Sequence, residues 1–322
     1  MDTKAIGGYF ELELPNGKST FFGENYIELN SARNCLEYIL RAKKYTKIHL
    51  PFYTCDAVLE PIEKLKIPYE FYDVDANLEP IFDNHLLKEY EVFLYTNYFG
   101  IKDDFIKNKI STISGNVIID NAQAFFSKPL EKVDTFYSPR KFVGVSDGGL
   151  LYCNKKLKEH FEKDESFERM SHLLKRIDTS AEEGYNDFCK NDASLEHQPI
   201  KLMSNLTQKI LSGIDYQAIK QKRRENFEFL HQHLKDQNLL KVELSEDSVP
   251  LVYPFRTKNG NLKKKLLSEK IYCATYWPNV TEWCDESKNS YFLAQEILAL
   301  PIDQRYTHHD MNKILNIIMQ WK

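Results

Sequence analysis

The chain has 322 residues, 42% of them hydrophobic and 13% aromatic, which is enough apolar material for about two domains with real cores. Lysine plus arginine number 43 against 47 aspartate plus glutamate, a net charge of −4, whereas a nucleic-acid binder would show a basic excess. No stretch approaches the ~18 consecutive apolar residues of a membrane span and the opening residues hold no signal-like apolar run, so a cytoplasmic protein with neither membrane nor nucleic-acid partner is expected.

In chain order, Leu36, Ile39, Leu40 and Lys43 recur at helical spacing, which predicts a helix over 32–44 with Asn30 or Ser31 as its cap. Strands are expected at 47–50, 69–72, 91–95, 116–120 and 150–153, with further helices at 56–66 and 103–113. Strand, helix and strand in repetition imply βαβ units and a mainly parallel sheet. After Asn154 the composition changes to a charged segment, 155–176, leading to Gly184-Tyr-Asn186. A long helical pattern covers 202–235, and its basic run 220–224 reads as a solvated face. From Val249 the pattern returns to α+β: strand 250–255, helix 262–270, strands 271–276 and 298–300, and a last helix over 310–321. The expected division is a large α/β domain over 1–200 and a linking helix with a smaller α/β domain over 201–322. Six scattered cysteines without a C-x-x-C pair read as reduced thiols. His308 and His309 beside Asp310 read as a helix-cap region, so no metal site is expected.

Ligands of open parallel sheets bind at the carboxyl ends of the strands. Asp120 closes the run Asn116-Val-Ile-Ile-Asp, Lys141 follows 133–140, and Ser31-Ala-Arg opens the first helix. An acid, an amine and a helix N-terminus on one sheet edge suit pyridoxal phosphate (PLP), which needs a lysine for its aldehyde, an acid for its pyridine nitrogen and donors for its phosphate. Ser138 could add a hydroxyl, and Arg33 or Arg140 a charge. The reading expects Lys141 to be buried, where a neutral, nucleophilic amine is favoured. Each residue also has a plainer reading. Asp120 could cap a turn, Lys141 could be a surface lysine, and Ser31 an ordinary helix cap. Tyr53 or Phe52 could be a ring-stacking residue or core. Tyr276 and Trp277 could line a pocket or pack together.

These pieces, in this order, resemble the DegT-like sugar aminotransferases. The resemblance rests on Asn30-Ser-Ala-Arg-Asn, Leu50-Pro-Phe-Tyr-Thr-Cys, Phe71-Tyr-Asp-Val-Asp, Asn97-Tyr-Phe-Gly, Asp120-Asn-Ala-Gln, the segment 136–141 with Ser146-Asp-Gly-Gly, and Leu300-Pro-Ile. It implies an α/β protein of PLP fold type I (the aspartate-aminotransferase type), with a mostly parallel, seven-stranded type of sheet and a smaller C-terminal α/β domain. It further implies that Lys141 carries PLP and that Asp120 meets the pyridine nitrogen. Gln123 would lie near the ring hydroxyl and Tyr53 would stack on the ring. Ser31, Ala32, Arg33, Asn34 and Ser138 would hold the phosphate, with Asn186 reaching a partner subunit's cofactor. The activity implied is amino transfer from an amino acid, glutamate for choice, to a nucleotide-linked keto-sugar by a homodimer. The sequence departs from the family in placing Phe136 where a serine usually stands, and in an insertion between Asn186 and Met203. A short stretch before the phosphate turn motivates the alternative, a noncatalytic or regulatory protein of the same fold.

Overall fold

The computed structural model describes residues 8–15, 17, 25–83 and 87–321; residues 1–7, on which the absence of a signal-like run was read, lie outside them. The first strand, β1 (Ile27–Leu29), gives way at Ser31, whose hydroxyl accepts the Asn34 N–H at 3.2 Å and starts α1 (Ala32–Lys43). Arg41 and Lys43 in the last turn suit the carbonyl end of the helix dipole. There follow β2 (Lys47–Pro51), α2 (Leu59–Lys64), β3 (Tyr69–Val74), β4 (Pro80–Ile81), β5 (Glu91–Thr96) and α3 (Asp103–Asn108). The large sheet is completed by β6 (Asn116–Asn121), β7 (Asp134–Tyr137) and β8 (Gly149–Tyr152).

The sheet has eight strands in the order β1-β8-β7-β6-β5-β2-β3-β4. Strands β7, β6, β5, β2 and β3 run parallel, and the antiparallel pairs are confined to the two flanks. Two-residue β4 brings the count to eight where seven were expected. Every residue of β5 is buried, as fits a parallel strand covered on both faces. One face, with Ile48, Leu50, Val92, Leu94, Ile118 and Phe136, packs under α1. The other, with Phe93, Tyr95, Val117, Ile119 and Tyr137, continues into the C-terminal part.

Beyond β8 come α4 (Ser171–Asp178), α5 (Ala181–Ala193), α6 (Asn205–Ser212) and α7 (Tyr216–Leu234). The last elements are β9 (Val252–Arg256), α8 (Leu262–Ser268), α9 (Val280–Trp283), α10 (Asn289–Glu296), β10 (Ile297–Pro301) and α11 (His308–Gln320). Strands β9 and β10 form an antiparallel pair of their own. Thr307 and Asp310 make a reciprocal capping box at α11, the cap region expected there.

Several expectations need correcting. The helical pattern over 202–235 is two helices, because Gly213 interrupts it and Asp215 caps a new start through Ala218 N–H. The strand expected at 271–276 survives only as a bridge from Ala274 to Ala299, since Trp277 turns inward to meet Tyr53. The helix expected at 103–113 stops at Asn108 and tightens into a separate turn, Ile110–Thr112. Among the described residues no helix is long and apolar enough to cross a membrane, and no three His, Cys, Asp or Glu side chains cluster as a metal site.

Candidate active site

Asp120 lies at the carboxyl end of β6, level with Thr96 of β5 and Phe136 of β7. It is 5% exposed, and one carboxylate oxygen accepts the Ala122 N–H at 2.8 Å. Burial pushes its carboxyl above the ordinary aspartate range; the Lys141 charge and the Ala122 N–H pull the other way. The two residues singled out for chemistry are therefore within electrostatic reach of each other. Cys55 senses the same lysine, but burial dominates and pushes its thiol up to about 11.

Lys141 ends the tight turn Pro139–Lys141 directly after β7. Its side chain is exposed in the single chain, which corrects the expectation of a buried lysine: the carboxylate is the buried member of the pair. The turn is seated by the glycines behind it. Gly148 has φ +127°, a conformation that favours glycine, and a Cβ there would meet the Pro139 ring at 3.0 Å. A Cβ on Gly149 would lie 2.4 Å from the Ser31 carbonyl oxygen, so β8 and the start of α1 touch only because that position is glycine.

Gln123 is buried, and its carbonyl oxygen accepts the Phe99 N–H at 2.9 Å. Its amide nitrogen has no partner among the described residues. Tyr53 is fully buried, stacked on Tyr98 at 5.4 Å between ring centroids and edge-on to Trp277 at 5.1 Å; its hydroxyl also lacks a partner among the described residues. Tyr98 in turn feels the Asp120 charge. Phe52 stacks instead on Phe71 at 4.8 Å, so Tyr53 is the one of the two on the Asp120 side. Tyr98 was not singled out from the sequence, although it stands two residues beyond β5 and the strand-end rule reaches it. Trp277 is buried and packs on Tyr53, Tyr98 and Tyr276.

At the start of α1 most side chains are already engaged. The Ser31 hydroxyl caps the helix, and the Asn34 amide donates to Asn30 and to the Pro199 carbonyl at 2.7 and 2.8 Å. Arg33 lies 3.3 Å from Glu60. Ala32 and Arg33 occupy the first helical positions, where backbone N–H groups lack partners within the helix. Arg140, close enough to Arg33 for the two charges to oppose, pairs with Asp192 at 3.1 Å and keeps a buried Nε without a partner among the described residues. Ser138 is buried and its carbonyl accepts the Lys141 N–H. Asn186 stands exposed on α5, and none of the contacts around Asp120 or Ser31 involves it.

No protein-family model matches the sequence, and no curated protein matches it. Solved structures do. Spr1654 from Streptococcus pneumoniae in its apo form shares 16% identity over 92% of this chain and 85% of that one, with a TM-score of 0.64; it is also solved in PLP and PMP forms. The sugar aminotransferase CalS13 from Micromonospora echinospora shares 15% identity over 92% of this chain and 87% of that one, with a TM-score of 0.61. NtdA from Bacillus subtilis with bound cofactor PMP shares 14% over 92% and 73%, with a TM-score of 0.64. The likeness establishes the fold, which is the one these proteins share.

Proposed function

We propose that this chain is a PLP-dependent aminotransferase that passes an amino group from an amino acid, glutamate for choice, to a nucleotide-linked keto-sugar. One observation carries the reading: a buried carboxylate, Asp120, within electrostatic reach of Lys141 at the carboxyl edge of a parallel sheet. The fold shared with sugar aminotransferases supports it and cannot replace it.

The residues present fit the cofactor. A pyridinium nitrogen suits a buried carboxylate, and the unpartnered Gln123 amide and Arg140 Nε are donors awaiting a ring hydroxyl and a phosphate. PLP bound here would supply an aldehyde for a lysine and an electron-accepting ring. Lys141 would move a proton from the substrate Cα to C4′ of the cofactor, acting first as general base and then as general acid. Asp120 holds a proton at the ring nitrogen, and Tyr53 covers a ring face once it leaves its buried stack on Tyr98. The backbone N–H groups of Ala32 and Arg33, with Ser31, Asn34, Ser138 and Arg140 around them, receive the phosphate.

In this reading residues 1–200 hold the cofactor and 201–322 close over it, in a cytoplasmic homodimer. Leu174, Ile177, Tyr185 and Phe188, exposed on the α4–α5 hairpin beside Asn186, support a partner subunit there. A second reading, a noncatalytic protein of this fold, is favoured by the exposure of Lys141 and by the engagement of Ser31, Arg33 and Asn34 with the protein itself.

The deciding experiment adds PLP, records the visible spectrum, reduces with borohydride and locates the added mass by peptide mapping. The expected result is a yellow protein with the label on Lys141, lost in Lys141→Ala, and bleaching of the yellow colour on addition of glutamate. Label on other lysines, or none, would overturn the assignment. Label on Lys141 without a response to any amino acid would favour the noncatalytic reading.

A further inference from the structure

The basic run 220–224 reads from sequence as a solvated helix face, and Arg223 corrects that reading, being 2% exposed. Its guanidinium lies over the Phe142 ring, 4.6 Å from the centroid. It donates to the carbonyls of Leu251 at 2.9 Å, Pro250 at 3.3 Å and Phe142 at 3.4 Å, and its Nε donates to the Gln304 carbonyl oxygen at 3.0 Å. Gln304 returns its amide to the same Phe142 carbonyl at 2.8 Å. Phe142 is the residue after Lys141. Its ring and its carbonyl are thus both held from the C-terminal part, by α7 and by the turn that follows β10.

A buried cation is an expensive way to fill space. An apolar side chain of similar volume would often serve stability as well or better, so a retained guanidinium points to a geometric task. Burial lowers the Arg223 guanidinium to about 10, opposed by the nearby Asp303 carboxylate, and it stays charged at neutral pH. Planar, with donors in a fixed fork, it can bind three carbonyls of two separate segments at once, which an ammonium cannot do as rigidly.

We propose that Arg223 and Gln304 form a positioning clamp that fixes the Lys141 turn against the segment entering β9 and the turn after β10, holding the lysine amine in place relative to Asp120. The clamp rests on the reading of Lys141 as the cofactor lysine. It makes the lysine's placement depend on the C-terminal part, so that any movement of that part carries the turn with it.

The test uses the full chain and two variants. Arg223→Met removes the fork. Gln304→Glu keeps an acceptor for Arg223, now as an ion pair, and turns the donor to the Phe142 carbonyl into a repelling carboxylate oxygen while leaving Arg223 in place, so it tests the Phe142 contact if the first variant does not fold. In cofactor-free protein, amide exchange over residues 139–145 is expected to rise about tenfold or more in either folded variant, with exchange in β5 and β6 unchanged. With PLP and glutamate, the apparent kcat should fall about tenfold while the affinity for PLP holds, a split that a general loss of stability would not produce. Unchanged protection at 139–145 in Gln304→Glu, or exchange rising equally across the sheet, would overturn the clamp. The functional reading fails separately, if wild-type protein takes no label on Lys141; the exchange experiment then still decides the clamp.

Discussion

Burial holds the Asp120 carboxyl above the ordinary aspartate value of 3.8, and only the Lys141 charge and one backbone N–H work against it. A carboxyl raised on folding adds its stabilising share below the unfolded value and loses it as pH climbs through the folded value. At neutral pH, Asp120 is therefore a cost to the cofactor-free fold. Asp120→Asn is expected to raise the Tm of cofactor-free protein at pH 7 by a few degrees, the gain shrinking as pH falls toward 4. The same variant should lower the glutamate-driven reaction of the PLP-loaded protein by about 100-fold or more. Thermal melts across pH and a half-reaction assay check the two halves, and an unchanged rate would remove Asp120 from the chemistry. The placement of Asp120 at the end of β6 and of Lys141 in the turn after β7 was legible in the sequence, because strand ends are a local property, whereas Gln123 was reached only through the family resemblance. Arg223 was not legible: its partner Phe142 is 81 positions away, and a basic run on an amphipathic helix carries no mark of the one member that turns inward.

Where β8 meets the start of α1, side-chain volume is zero by necessity. A Cβ on Gly149 would sit 2.4 Å from the Ser31 carbonyl oxygen and 2.8 Å from the Ala32 nitrogen, both backbone atoms that cannot swing aside. Gly149→Ala should therefore part β8 from α1 and cost about 1–3 kcal/mol in denaturant unfolding. It should also weaken PLP binding, because the first-turn N–H groups of α1 shift with the helix. A variant as stable and as PLP-competent as wild type would contradict the close approach. Elements with one clear period were read correctly from sequence, α1 among them, as were the buried strands β5 and β6. The α4–α5 hairpin was not, because the density of charged residues there reads as a charged segment; its apolar residues Leu174, Ile177, Tyr185 and Phe188 remain exposed on it.

At the scale of the molecule, the two parts read from the sequence share one core. The sheet face that carries Phe93, Tyr95 and Tyr137 continues through Phe142, Tyr216 and Phe227 to β9, β10 and the buried face of α11. The α4–α5 hairpin adds a second link: Asn191 donates to the Ser146 carbonyl at 3.0 Å, while Glu182 accepts from Tyr272 and pairs with Lys270. Those exposed contacts at Glu182 are worth little in water, so the shared apolar face has to carry the coupling. Unfolding should then be one cooperative event. All three tryptophans, Trp277, Trp283 and Trp321, lie beyond residue 200, so their fluorescence reports the C-terminal part alone while far-UV circular dichroism reports the whole chain. The two denaturation curves are expected to coincide. A fragment of residues 1–200 should lack near-UV structure and bind a hydrophobic dye, since its sheet face is left bare. Separate transitions, or a natively packed fragment, would show instead that the boundary near residue 200 divides two independently stable domains, and the Arg223 contact would then bridge bodies that fold apart.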